Sequence, residues 1–131
     1  IMRILTLKEP FATLICNKVK TIETRSWRTN YRGEIYIHAG IKKTEYGYKC
    51  EEFIKLADKY SYRPGYVLCK CNLVDCIEMT EEYIEKIKKE DHINYISGEY
   101  KVGRFAWILD NIVPVDPFFV KGRLGIWHYN D

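Results

Sequence analysis

Charged residues with complementary chemistry lie close together in the first quarter of the chain. Residues 21–25 alternate β-branched and polar side chains, which predicts a strand. Period two places Glu23 and Arg25 on one strand face, where they either pair with each other or present an acceptor and a fork donor to a base edge. Lys8 and Lys20 flank a short predicted helix, and either ammonium group suits a phosphate or an acyl oxygen.

A second group interleaves cations with aromatic rings directly after this strand. Trp27, Arg28, Tyr31 and Arg32 occupy the polar connection formed by residues 26–32. Rings beside cations suit base stacking combined with phosphate contact. The alternative is that the rings cover an edge of the sheet.

Two titratable residues on later strands complete the polar candidates. His38 lies on the polar face of a predicted strand over residues 34–39, where it is either a general base or a hydrogen-bonded structural residue. Asp75 shares its strand phase with the apolar Val67 and Leu73. This phase predicts an inward carboxylate that needs a cationic partner.

The elements that must position these residues alternate irregularly along the chain. The predicted strands are residues 3–7, 21–25, 34–39, 66–76, 104–110, 112–115 and 125–129, and the predicted helices are residues 11–17, 43–60 and 81–89. Pro10 precedes the first helix and Thr80 caps the third. The residues predicted to lie in the core include Leu14 and Ile15 of the first helix, Tyr46, Tyr48 and Trp107. Because no regular βα repeat appears, the pattern predicts an α+β domain, a small mixed sheet or barrel with helices inserted in its connections.

Length and composition predict one folded domain. The chain has 131 residues, of which 47% are hydrophobic and 30% charged, and this composition excludes a disordered chain. We expect the natural start at Met2, and hence a single domain over residues 2–131. No apolar stretch approaches the roughly 18 residues that a membrane helix needs, so we expect a cytoplasmic protein.

Charge and cysteine usage restrict the partners. Residues 1–49 hold ten Lys or Arg against four Asp or Glu, which indicates an anionic partner or a solvated basic surface. The five cysteines lack a CxxC pair and a Cys/His cluster. We therefore expect small buried hydrophobes in a reducing compartment, with no metal and no cofactor.

Taken together, these segments resemble the ASCH domain, the activating-signal-cointegrator homology module of the PUA-like superfamily. The matching segments are K-E-P-F-A at residues 8–12, N-K-V-K-T-I-E-T-R at 17–25, N-Y-R-G at 30–33, F-A-W at 105–107 and K-G at 121–122. The resemblance spans nearly the whole chain, and Asn17 stands where the family usually has Gly. It implies a PUA-like mixed β-barrel, a cleft beside the first helix at Lys8, Pro10 and Phe11, and RNA or a nucleotide-like ligand.

The resemblance leaves three functions open. The first is an RNA- or nucleotide-binding module around Lys20, Glu23 and Arg25. The second is a small hydrolase of RNA or of an acylated nucleoside, with Lys20 and Glu23 as the catalytic pair. One branch of similar proteins hydrolyses acetylcytidine with a Thr three residues after the motif Lys, and Glu23 occupies that place here. The third is a protein-interaction module in a transcription- or translation-related complex.

Overall fold

One mixed sheet with inserted helices dominates the computed structural model, which describes residues 1–43 and 50–130. The strands are β1 (Met2–Glu9), β2 (Ile22–Arg25), β3 (Gly33–Lys43), β4 (Tyr66–Glu78), β5 (Phe105–Phe119) and β6 (Ile126–Tyr129), and the helices are α1 (Phe11–Cys16), α2 (Glu51–Ala57), α3 (Glu81–Glu90) and α4 (His92–Ile96). The strand order is β2-β5-β4-β3-β1-β6, and β1 and β3 form its parallel pair. The α+β class is confirmed. The sheet formed by the described residues is not closed, so the predicted barrel is not confirmed.

The main core lies between the sheet and α1. Alternating apolar residues place Leu5 of β1 beside Ile37 of the parallel β3, and both side chains are fully buried. Leu14 and Ile15 of α1 are buried as predicted. Trp107 is fully buried in the same core, which confirms its predicted place. This packing holds α1 against the strands that carry the candidate residues.

The long strand β5 replaces two predicted strands. Its first part pairs with both β2 and β4, because β2 aligns with residues 105–108 only. After residue 108, β2 no longer pairs with this edge of β5. Pro114 and Pro117 are tolerated there, because a proline has no N–H to donate to a neighbouring strand. The predicted edge strand at residues 112–115 is therefore the second half of β5.

Two helical predictions differ from the structure. Of the predicted helix over residues 43–60, residue 43 instead ends β3, and within residues 50–60 the structure has α2. Tyr46 and Tyr48, expected in the core, lie outside the described residues. α3 begins as predicted, with Thr80 Oγ1 accepting the Tyr83 N–H at 3.1 Å. α4 was not predicted, because five residues are too few to show a helical period. None of the helices in residues 1–43 and 50–130 has the length and apolar character needed to cross a membrane.

A disulfide corrects the interpretation of the cysteines. Cys16 and Cys69 are bonded, with their Cα atoms 5.4 Å apart, so the expectation of reduced thiols is wrong for these two residues. The bond ties the last residue of α1 to β4 across 53 positions of sequence, a proximity that only the tertiary fold creates. Cys71 is a buried free thiol, and burial raises its pKa to about 12. A cytoplasmic location stays a prediction.

Candidate functional site

A cavity of about 550 Å³ lies where β1, β2 and β3 meet residues 121–125. This volume falls within the range of small-ligand pockets. Five of the candidate residues line it, namely Lys8, Phe11, Glu23, Arg25 and His38. The cavity therefore brings together five candidates that are up to 30 positions apart in the sequence.

Glu23 is held between two cations on the wall of the cavity. Its Oε2 accepts a hydrogen bond from an Arg25 guanidinium nitrogen at 3.3 Å, and its Oε1 lies 3.6 Å from Lys20 Nζ. The Glu23 residue is only 6% exposed. The two cations compensate the Glu23 carboxylate, because burying a carboxylate without a partner costs on the order of several kcal/mol. The predicted strand face thus brings Glu23 and Arg25 together.

Lys20 lies on the protein-interior side of this wall. The side chain is fully buried and lies outside the cavity lining. Its Nζ donates a hydrogen bond to the Ser97 carbonyl at 2.5 Å and lies 5.3 Å from the centroid of the Phe11 ring. Lys20 therefore fixes the position of Glu23 and contacts the ring beside it.

Asn94 of α4 fixes the start of β2. Its Oδ1 accepts the N–H groups of Thr21 and Ile22 at 2.9 and 3.0 Å. Its Nδ2 donates to Thr21 Oγ1 at 3.0 Å and to Asp91 Oδ2 at 2.9 Å. Sequence reasoning missed Asn94 because it lies more than 70 positions from Thr21 and Ile22. These bonds hold β2 in the register that presents Glu23 to the cavity.

The turn from β1 into α1 places Phe11 on the cavity wall. Pro10 is buried at this turn, outside the cavity lining. Glu9 is also buried, and its carboxylate accepts the Thr13 N–H at 2.8 Å and the Thr13 hydroxyl at 2.5 Å. Burial raises the pKa of the Glu9 carboxyl, and the two hydrogen bonds oppose that rise.

His38 joins three parts of the structure through its ring nitrogens. Nδ1 lies 3.0 Å from Thr6 Oγ1, which in turn accepts the Trp127 indole N–H at 3.0 Å. Nε2 lies 2.7 Å from the Val120 carbonyl and 3.0 Å from the Gly65 carbonyl. Because carbonyls only accept, Nε2 carries the proton, and Nδ1 accepts the Thr6 hydroxyl. This arrangement matches the structural alternative for His38.

The cations of the connection, residues 26–32, face carboxylates of β4 instead of the cavity. Arg28 forms an exposed ion pair with Glu78 at 2.9 Å, and Arg32 lies 3.8 Å from Asp75. The prediction of an inward Asp75 is wrong. The register of β4 shifts between Leu73 and Asp75, and this bulge turns the carboxylate to solvent.

The rings of the connection also lie outside the cavity lining. Trp27 packs edge-on against Trp107, with 4.7 Å between ring centroids. The Tyr31 hydroxyl donates to the Glu34 carbonyl at 2.7 Å, and the Arg3 guanidinium lies 4.8 Å from the Tyr31 ring centroid. Both rings therefore already have partners within the fold.

Three cations of the cavity were not predicted as site residues. Lys42, Lys121 and Arg123 line it together with Lys8 and Arg25. The signal was present in the sequence as a basic, glycine-containing segment, K-G-R-L-G, at residues 121–125. Only the fold shows that this segment returns to β1. As for metals, the described residues contain no group of three His, Cys, Asp or Glu that could hold an ion.

Comparison with known proteins identifies the family. A family model for the ASCH domain matches residues 5–119. The chain belongs to the ASCH family. A crystal structure of a mutant of the ASCH protein ZmASCH from Zymomonas mobilis has a similar fold, with a TM-score of 0.53 and 17% identity over 91% of this chain and 76% of that one. No curated protein matches the chain.

Proposed function

We propose that this ASCH domain, whose fold we expect to be PUA-like, binds RNA or a nucleotide-like ligand in the cavity. The observation that carries the proposal is the grouping of five cations, one carboxylate and an aromatic ring around about 550 Å³. Cations neutralise phosphates, rings stack on bases, and a carboxylate beside a guanidinium reads donors and acceptors on a base edge.

Each residue of the proposed site has a separate task. Arg25, with a side chain 23% exposed, offers guanidinium N–H groups beyond the one that it gives to Glu23. The carboxylate oxygens of Glu23 have further lone pairs that can accept a hydrogen bond from an exocyclic amine of a base. Phe11 supplies a ring face, and Lys20 keeps Glu23 in place from the protein interior. Lys8 supplies a positive charge for a phosphate.

The salt dependence of RNA affinity tests the proposal. We expect a labelled single-stranded RNA to bind. The logarithm of its association constant should fall linearly with the logarithm of the salt concentration, with a slope of about −0.7 per phosphate contacted. Lys8→Gln should make this slope shallower by about 0.7, which is the contribution of one phosphate contact. The matched control is Lys101→Gln, which removes an exposed charge outside the cavity. Binding of neither RNA nor mononucleotides would overturn the proposal and favour the protein-interaction alternative.

Hydrolysis is a second candidate, supported by the 3.6 Å contact between Lys20 and Glu23 at the cavity wall. In this mechanism Glu23 accepts a proton from a water molecule whose oxygen attacks the RNA phosphate or the acyl carbon. The P–O bond to the ribose oxygen, or the C–N bond to the base, then breaks, and the leaving oxygen or nitrogen takes up that proton. The acyl branch of similar proteins has Thr where Glu23 stands, so RNA is the first substrate to test. Product formation that disappears in Glu23→Gln, while RNA binding persists, would support hydrolysis. Absence of product with bound RNA would favour binding alone.

A further inference from the structure

The mouth of the cavity carries an excess of positive charge. We define the basic mouth as Lys8, Lys42, Lys121 and Arg123, all exposed and all lining the cavity. Among the described residues, none of these four cations forms an ion pair with a carboxylate. Four like charges around one opening repel one another, and an anion bound there would relieve the repulsion.

The fold holds the basic mouth in place through residue 122. A Cβ atom on Gly122 would lie 3.0 Å from both His38 Cε1 and Thr6 Cγ2, so the segment packs directly against β1 and β3. The hydrogen bond from His38 Nε2 to the Val120 carbonyl, at 2.7 Å, anchors the start of the segment. The two cations that flank Gly122 are therefore positioned beside the cavity by a tightly packed backbone.

The interior of the cavity has a different chemistry from its mouth. The Glu23 and Arg25 pair can read hydrogen-bond donors and acceptors of a planar group, and Phe11 offers a ring to stack against it. At the rim, next to the basic mouth, Ile41 and Leu124 add exposed apolar surface, at 70% and 98% exposure. A ligand that satisfies both parts has a planar polar base joined to an anionic group.

We propose that the basic mouth is a phosphate subsite and that the cavity takes a phosphorylated nucleoside in preference to a free nucleoside. The inference rests on the proposed function and adds to it the place and the charge of the phosphate. A free mononucleotide and the terminal nucleotide of an RNA share this chemistry. The anionic group meets Lys121 and Arg123, and the base meets Glu23 and Arg25.

A thermodynamic cycle tests the subsite. Calorimetry compares the four nucleosides with their 5′-monophosphates, and inorganic pyrophosphate serves as a probe without a base. We expect the best monophosphate to bind the wild type at least about tenfold tighter than its nucleoside. In the double variant Lys121→Gln/Arg123→Gln this advantage should fall below about threefold. The matched control, Lys88→Gln/Lys89→Gln on α3, removes the same charge outside the cavity and should keep the advantage.

The outcomes separate this inference from the proposed function. Equal affinities of nucleoside and monophosphate in the wild type, or an advantage that survives the double variant, would overturn the subsite while salt-dependent RNA binding could still stand. Pyrophosphate binding that the double variant loses, without any binding of nucleosides or RNA, would support the phosphate subsite and overturn the nucleoside part. A 5′-phosphorylated tetranucleotide, compared with its 5′-hydroxyl form, assigns the ligand to an RNA end if the phosphate raises its affinity.

Discussion

The cavity and the connection of residues 26–32 share a combination of cations and aromatic rings but have different structural roles. Both combine arginines with aromatic rings, and the sequence suggested ligand contact for both, with the covering of a sheet edge as the alternative for the rings of the connection. In the connection, Arg28 and Arg32 face carboxylates of β4, and the rings pack within the fold. In the cavity, the described part of the lining holds five cations and one carboxylate, that of Glu23. We therefore expect basic and aromatic composition to mark an anion site only where the fold leaves the charges uncompensated.

The difference arises from which strands lie next to each region. The connection runs beside the last part of β4, which carries Asp75 and Glu78. The cavity lies where β1 and β3 meet residues 121–125, and these elements add lysines and an arginine to its lining. Strand neighbours that are distant in the sequence thus decide whether a cation is available to a ligand.

The largest expected effect concerns the lysine behind the cavity wall. Lys20→Met removes a fully buried ammonium and, among the described residues, leaves Glu23 with Arg25 as its cationic partner. Breaking a buried ion pair on one side should lower the free energy of unfolding by about 3–5 kcal/mol. Urea denaturation measures the change.

Two further variants show whether the charge causes that loss. Lys101→Met removes an exposed ammonium and should change stability by less than about 0.5 kcal/mol. The double variant Lys20→Met/Glu23→Gln should recover part of the loss, because it removes the uncompensated carboxylate as well. Equal stabilities of Lys20→Met and Lys101→Met would show that the cavity wall is no more dependent on charge pairing than the surface.

Reduction of the Cys16–Cys69 bond should destabilise the fold that holds the cavity. The bond closes a loop over 53 positions and ties down α1, which bears Phe11. We expect reductant to lower the free energy of unfolding by about 2–4 kcal/mol. Urea denaturation with and without reductant measures it, and Cys16→Ser/Cys69→Ser, which lacks the bond, should not respond. Five free thiols in the unreduced, denatured protein, instead of the three at Cys50, Cys71 and Cys76, would contradict the pairing.

Local patterns predicted the part of the site that lies on one strand. Period two placed Glu23 and Arg25 on the same face of β2, and the structure brings their side chains together at 3.3 Å. The turn at Pro10 and the buried face of α1 were also evident from neighbouring residues. These features depend on residues a few positions apart, so the sequence contains them directly.

The rest of the site depends on contacts that no local pattern contains. Asn94 binds β2 from a helix too short to show a period, and Lys121 reaches the cavity because residues 120–125 return to β1. Asp75 was misplaced because one bulge in β4 shifts the phase of every residue after it. The carboxylate that was expected to face inward instead compensates Arg32 at the surface.

A matched pair of arginine variants sharpens the comparison directly. Arg25→Gln and Arg28→Gln remove the same charge, one from the cavity and one from the connection. We expect Arg25→Gln to lower RNA affinity about 10- to 100-fold, the range of a charged hydrogen bond. Arg28→Gln should change it less than about twofold, because Glu78 already compensates an exposed side chain.

The measurement is fluorescence anisotropy at one fixed salt concentration, with denaturation curves to confirm that both variants fold. Equal losses would mean that RNA responds to net charge and not to position, as long-range electrostatics predicts at low salt. A larger loss of RNA affinity in Arg28→Gln than in Arg25→Gln would mean that the ligand binds at the connection and not in the cavity.

The smallest expected effect comes from removing the carboxylates that pair with the cations of the connection. Asp75→Asn/Glu78→Gln removes the two carboxylates that face Arg32 and Arg28, both in exposed pairs. Stability should change by less than about 1 kcal/mol, while RNA affinity should rise about two- to threefold with a steeper dependence on salt. Adding Arg28→Gln/Arg32→Gln should abolish the gain. If the gain never appears, charge compensation is not what keeps the connection from binding RNA, and the packing of Trp27 and Tyr31 within the fold explains it instead.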